Sequence, residues 1–266
     1  MKRREFLKTS VVGSALAAIG STHSMSAAEG PQNGGREYYE LRAYRLKSDS
    51  SHELLDTYLE KAAIPALNRL GTGPIGVFTE PEAKDGLALY ALIPYPSIQL
   101  FASAVSKLNA DAEYQKAGAE YLQVAKANPQ FVRIDSWLML AFIGMPKLEQ
   151  PAYSKDKKPR IFELRTYESY SEAKALRKVE MFNAGEIELM HEVGLGPIFF
   201  AQALVGSNLP HLTYMLSAED RDAHKKHWEG FGKSPVWKKL SGDASYADTV
   251  SKITNRFLIP TSYSQI

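Results

Sequence analysis

Two short motifs recur in this chain at one displacement. Glu40-Leu41-Arg42-Ala43-Tyr44 returns as Glu163-Leu164-Arg165-Thr166-Tyr167, and Gly71-Thr72-Gly73-Pro74-Ile75 returns as Gly194-Leu195-Gly196-Pro197-Ile198, each 123 residues further on. A shared offset for two separate motifs is the mark of an internal duplication, so the chain has to fold as two related units. The stretch from Met145 to Pro159, with three prolines and several charges, is the natural linker between them.

Each unit reads as strand, helix, strand, strand, helix, strand. Residues 38–46 alternate apolar and polar side chains, as a half-buried strand does. A helix is expected over about 51–70, where Leu55, Tyr58, Leu59, Ala62, Ala66 and Leu70 fall at helical spacing. Ser50 or Ser51 suits its cap, Pro65 should kink it, and Gly71 followed by Pro74 should end it. Strands follow at 75–79 and 87–93, then a helix carrying Ile98, Phe101, Ala102, Val105 and Leu108, with a break before 114–127. A fourth strand spans 131–142. The second unit repeats this with a strand at 161–168, a helix over 171–193, strands at 198–204 and 212–216, a helix from about 218 and a strand over 251–259.

This βαββαβ order is the ferredoxin-like arrangement, an α+β unit with helices on one face of an antiparallel sheet. The other sheet face is left uncovered, and two tandem units in one chain can cover it by sharing a barrel-like core. A fused dimeric α/β barrel is therefore expected, with units at 29–145 and 160–266 on either side of a linker at 146–159.

The paired Glu-Leu-Arg-x-Tyr strands, the Gly-x-Gly-Pro-Ile turn and the Trp-x-x-Phe segment at Trp228 to Phe231 resemble the NIPSNAP family, once per unit. The resemblance implies the dimeric α/β barrel. It implies little chemistry, because the family has no agreed enzymatic activity and is linked to vesicle and mitochondrial roles in animals. The wider barrel superfamily includes antibiotic-biosynthesis-type monooxygenases and haem-binding enzymes, an analogy of fold alone.

The N-terminus departs from that animal setting. Lys2-Arg3-Arg4-Glu5-Phe6-Leu7-Lys8, followed by a mild apolar run over 11–20 and small residues at Ser26-Ala27-Ala28, reads as a twin-arginine export signal over residues 1–28. A periplasmic or otherwise exported mature protein is the expectation, and the apolar run is too short for a stable membrane span. The excess positive charge lies largely in this segment: the whole chain is +2, and without residues 1–28 it is −1. Near-neutrality, with no basic run interleaved with aromatics, gives no case for a nucleic-acid partner. The absence of cysteine removes disulfides, thiolate metal sites, cysteine-ligated clusters and a cysteine nucleophile.

Candidate site residues cluster on the first strand of each unit. Alternation places Tyr39, Leu41 and Ala43 on one face and Glu40, Arg42 and Tyr44 on the other. In the copy Glu163, Arg165 and Tyr167 share a face. With the apolar set turned to the helices, the Glu-Arg-Tyr set is expected to point into the space between the two sheets. There it would form either the floor of a polar cavity for a small anionic or carbonyl-bearing ligand, or a reciprocal Glu–Arg network that fixes strand register between the units; the network is the favoured reading. Both readings satisfy the demand that buried charges be paired.

Of the histidines, His224 stands where the first unit has the inward Phe101, and Trp228 follows one turn later. A structural or solvent-facing role is favoured for His224 over iron ligation or general-base work, and more strongly for His227, which shares its helix flank. His191 suits the C-terminal end of a helix, and nothing recommends His52 or His211. Metal-site, phosphate-loop, dinucleotide-fingerprint and nucleophile-elbow motifs are missing, so no metal, cofactor or catalytic residue is assigned. The expected function is small-molecule binding or interaction in the cavity between the sheets. The alternative is a barrel monooxygenase-type or haem-dependent enzyme, and a homodimer is compatible with either.

Overall fold

Eight antiparallel strands close edge to edge into one barrel in the computed structural model, which describes residues 35–47, 52–83 and 85–266. The first unit contributes β1 (Tyr38–Arg45), β2 (Gly76–Thr79), β3 (Ala88–Tyr95) and β4 (Arg133–Ala141), and the second β5 (Ile161–Glu168), β6 (Pro197–Val205), β7 (His211–Ala218) and β8 (Lys252–Pro260). The order round the barrel is β1-β3-β2-β8-β5-β7-β6-β4, with β4 pairing back onto β1. The seams between units are β2 on β8 and β4 on β6. The fused α/β barrel expected from the duplication is the observed fold. The twin-arginine segment and the proposed Ser50 or Ser51 cap lie outside the described residues.

Helices pack on the outside. In the first unit α1 (Glu53–Tyr58) runs through a π-helical turn at Leu59–Ala63 into α2 (Ile64–Arg69), and α3 (Ile98–Ala110), α4 (Ala112–Ala117) and α5 (Ala119–Leu122) follow β3. The linker carries a short α6 (Ala152–Lys155). In the second unit α7 (Glu172–Met181) passes through a π turn at Phe182–Glu186 into α8 (Ile187–Glu192), and α9 (Arg221–Lys233) and α10 (Pro235–Gly242) follow β7. Ser171, Ser97 and Asp220 cap α7, α3 and α9, each accepting a backbone N–H from the first turn.

The π turns fall at the same place in both units, 123 residues apart. In the first, Pro65 sits at the start of α2, where it lacks the N–H that an unbroken helix would use. In the second there is no proline, and Gly185 takes φ +141°, a conformation that suits glycine. Two sequence devices thus produce one irregularity, and only the proline was readable as a break.

One apolar cluster fills the barrel and draws on both units: Tyr39, Leu41 and Ala43 of β1 meet Phe162 and Leu164 of β5, Met139 of β4, Met215 of β7 and Leu258 of β8. Two other clusters lie between the sheet and the helices, one per unit; the first contains Tyr44, Leu55, Tyr58, Leu89 and Ala91. The face assignment made from alternation is therefore reversed. Tyr39, Leu41 and Ala43 point into the barrel, and Glu40, Arg42 and Tyr44, like Glu163, Arg165 and Tyr167, point outward under the helices. A closed barrel surrounds its lumen with strands alone, so the lumen is filled by large apolar side chains. In the second unit α9 brings polar partners to this face, His224 and Trp228.

One end of the barrel is plugged. Ile266 is fully buried in the lumen cluster with Leu148 against it; Gln265 accepts the Ile75 N–H through its side chain, and Gln150 Nε2 donates to the Gln265 carbonyl. The opposite end is open.

Candidate functional site

The residues singled out from sequence form one closed polar node per unit. On β1, Glu40 is buried and accepts from Arg42 Nε at 2.6 Å and Nη2 at 2.9 Å, from Tyr95 Oη at 3.2 Å and from Ser136 Oγ at 2.8 Å. On β5, Glu163 accepts from Arg165 Nη1 at 2.6 Å, Asn255 Nδ2 at 3.1 Å and Trp228 Nε1 at 3.1 Å, and its Oε2 lies 2.8 Å from His224 Nε2. Ser136 and Asn255 hold corresponding places, each two residues before the partner of the glutamate on the neighbouring strand. Tyr95 has become Ala218, and the second unit fills the gap from α9 with His224. Burial alone would raise the Glu163 carboxyl; the hydrogen bond from His224 and the charges of Arg165 and His224 outweigh it and hold the pKa at about 2.

These nodes are the favoured Glu–Arg network with one change. Each closes within its own unit, on adjacent positions of one strand face, rather than between units. His224 is 3% exposed and its ring is packed edge-on against Trp228 and Phe257. His224, Glu163 and Trp228 do come together as a constellation, but beneath a helix and not between the sheets. A haem ligand needs a free ring nitrogen facing a slot for the macrocycle. His224 Nε2 faces Glu163, its Nδ1 has no hydrogen-bond partner among the described residues but is buried, and the groove alongside is shallow, at about 260 Å³, so these residues do not fit that group. His227 stands apart from this node and His191 is exposed in the last turn of α8. No group of three His, Asp or Glu positioned for a metal occurs among the described residues.

A larger cavity lies elsewhere, in the open mouth of the barrel. It has a volume of about 450 Å³ and is lined from both units. Leu41, Leu164, Tyr90 and Trp137 form its apolar floor, and Thr166, Thr213 and Thr254 its polar wall; Thr166 Oγ1 and Thr213 Oγ1 are 2.9 Å apart. The rim is charged. Arg45 of β1 and Arg133 of β4 are direct cross-strand partners, and both reach the single carboxylate of Asp135, at 2.7 Å and 3.1 Å. Across the mouth, Arg256 is bonded to both Glu80 and Asp85, at 3.0 Å and 2.5 Å, and Lys252 pairs with Glu168 at 3.3 Å.

His211 lines this cavity and is 3% exposed. Its Nδ1 is 3.4 Å from Thr213 Oγ1, while its Nε2 is buried with no hydrogen-bond partner among the described residues. Burial lowers its pKa, so the imidazole is neutral at pH 7. Sequence reasoning had no ground for choosing His211. The signal that could have found it is register: it faces Glu168 on the strand that carries Leu164 and Thr166, one residue before the predicted start of β7.

Residues 162–265 match the NIPSNAP family model. The NIPSNAP match covers the unit that supplies His211, Thr213, Thr254 and Arg256 to the cavity. Among solved structures, a proposed monooxygenase from Fusobacterium nucleatum aligns over 85% of this chain and 93% of its own, with TM-score 0.53 and 12% identity. A second proposed monooxygenase, from Lactobacillus acidophilus, aligns over 85% and 94%, with TM-score 0.54 and 8% identity. At these identities the likeness is one of fold. A NIPSNAP-like domain protein from Burkholderia xenovorans aligns over 40% of this chain and 89% of its own, with 19% identity and TM-score 0.36. No curated protein matches the chain in sequence. No helix among the described residues is long and apolar enough to cross a membrane.

Proposed function

We propose that this is an exported protein of the NIPSNAP family that binds a small molecule in the open mouth of its barrel. The observation that carries the reading is the 450 Å³ cavity shared by both units, of the size that small ligands occupy (roughly 300–1,000 Å³), with an apolar floor and a few convergent polar groups. The family assignment rests on the match over 162–265 and on the repetition of the same strand and turn motifs in the first unit. Export rests on the twin arginine at Arg3-Arg4 and the small residues at 26–28.

Filling the cavity tests the binding reading. Thr254 lies on β8 opposite Thr166, is half-buried and lines the mouth, so Thr254→Trp places an indole where the ligand would sit. Wild-type protein expressed with its N-terminal segment should carry a stoichiometric added mass, or gain thermal stability with members of a small-molecule panel; the variant should lose both and keep its fold by circular dichroism. Identical binding by wild type and variant would remove the cavity from consideration. Export has its own test: Arg3→Lys with Arg4→Lys should leave the full-length chain in the cytoplasm, whereas the wild type should be recovered outside it at the mass of residues 29–266. Equal export of both would refute the twin-arginine route.

A further inference from the structure

The charge on the cavity rim is unevenly matched, and the mismatch has a direction. Arg45 and Arg133 stand directly opposite each other on β1 and β4, an arrangement of like charges that destabilises a strand pair unless something neutralises it. Asp135 neutralises one of the two. Arg45 reaches it through Nε, and its two terminal guanidinium nitrogens have no hydrogen-bond partner among the described residues. Side-chain exposure is 21% for Arg45, and its guanidinium lines the cavity, where its terminal edge can meet a ligand. On the other side of the mouth the count is inverted, with one guanidinium, Arg256, serving the two carboxylates of Glu80 and Asp85. Below the rim, His211 Nε2 is the one buried side-chain polar atom of the cavity lining that lacks a partner among the described residues. Orphaned buried polar atoms are rare in folded proteins and call for a water or a ligand.

We infer that the barrel mouth is built for a small monocarboxylate with an apolar body, its carboxylate seated on Arg45 and Arg133 and a hydroxyl or carbonyl group on it paired with His211. This rests on the cavity being the ligand site. A planar oxyanion matches the unused fork of Arg45 bidentately, as a point cation would not. The body of the molecule meets Leu41, Leu164, Tyr90 and Trp137. Among the charged residues that line the cavity, the four cations Arg45, Arg133, Lys252 and Arg256 meet the three carboxylates Asp85, Asp135 and Glu168, so one acid group completes the set and a second would exceed it. His211 Nε2 accepts or donates according to tautomer, which fits either a hydroxyl or a carbonyl on the ligand.

Trp137 supplies the readout, because its ring lines the cavity. The probes are 4-hydroxybenzoate, its neutral amide 4-hydroxybenzamide, and the dicarboxylate terephthalate, titrated into the full chain by calorimetry and by quenching of tryptophan emission, with Trp137→Phe to identify the signal. The expected order is 4-hydroxybenzoate at least tenfold tighter than the amide or terephthalate, with the advantage over the amide shrinking as salt is raised. Arg45→Gln with Arg133→Gln should bring the acid down to the affinity of the amide and leave the amide unchanged, the unchanged amide serving as the check that the barrel is intact. Should the acid and the amide bind equally, or terephthalate bind as well as the monoacid, the carboxylate inference is overturned while the cavity stands as a binding site. Quenching by none of the three, together with no effect of Thr254→Trp on any ligand, overturns both.

Discussion

Lys178→Leu alone should destabilise this protein by about 3–5 kcal/mol, while the double variant Lys178→Leu with Glu186→Ala should return it close to the wild type. Lys178 and Glu186 form an ion pair of 2.8 Å with side chains 5% and 2% exposed, at the junction of α7 and the second π turn. The ammonium also lies 4.6 Å from the Phe182 ring centre and 3.3 Å from Met181 Sδ. Burial raises the Glu186 carboxyl against the opposing pull of Lys178 and, more weakly, of Arg165, so Lys178 is the main cation that the carboxylate depends on. Removing the lysine leaves an uncompensated buried acid. Removing both leaves an apolar site, and the first unit already contains that solution: Leu55 and Ala63 occupy the matching positions, both buried. The duplication thus provides its own control. Equilibrium denaturation of the two single variants and the double variant closes the cycle. A double variant as unstable as the sum of the singles would mean that the pair does not act as a unit and that its contacts matter separately.

The fold was legible because duplication doubles every signal. A strand-turn pattern that constrains little when it occurs once becomes a constraint when it returns at one offset, and the paired Glu-Leu-Arg-x-Tyr strands located β1 and β5 to within a residue. What could not be read was which face of those strands looks inward. Alternation separates two faces, but both faces of β1 are covered: Leu41 is 5% exposed in the lumen and Glu40 is 4% exposed under the helices. Hydrophobicity was the wrong guide to direction, because the outward glutamates are buried by partners lying far along the chain, Ser136 for Glu40, and His224, Trp228 and Asn255 for Glu163. The same difficulty hid the cavity. Its lining comes from six strands, with residues such as Arg45, Arg133 and Lys252 at strand ends, where each reads as an ordinary solvated charge. Only the closure of the barrel brings them to one mouth. Helix α10 was missed because it follows α9 directly, with Ser234 capping the new helix and Pro235 at its first position. Serine followed by proline there was a start signal that the duplication could not supply.

Glu163→Gln should have its full cost near neutral pH and lose most of it in acid. The wild-type carboxylate, held at about 2 in the folded protein against 4.5 for a free glutamate, gathers Arg165, His224, Trp228 and Asn255 around one charge. A carboxyl whose pKa is depressed on folding stabilises the native state above its unfolded pKa, and that contribution fades as pH falls from 4.5 towards 2. For a shift of this size the contribution is on the order of 3 kcal/mol at pH 7. Glutamine keeps the shape and loses the charge, leaving Arg165 buried without its anion. The stability gap between wild type and variant, measured by urea denaturation, should therefore be about 3 kcal/mol at pH 7 and narrow steeply below pH 4.5. His224→Phe offers an independent view of the same node, since the first unit has Phe101 at the matching position, packed on Tyr95 with ring centres 5.4 Å apart. That variant should weaken the acid dependence without abolishing it, because Arg165 and Asn255 still hold the carboxylate. A gap that stays constant from pH 7 to pH 3 would show that Glu163 acts through shape and hydrogen bonding alone, and that the charge conserved between the two units of this chain contributes nothing to holding β5 beneath α9.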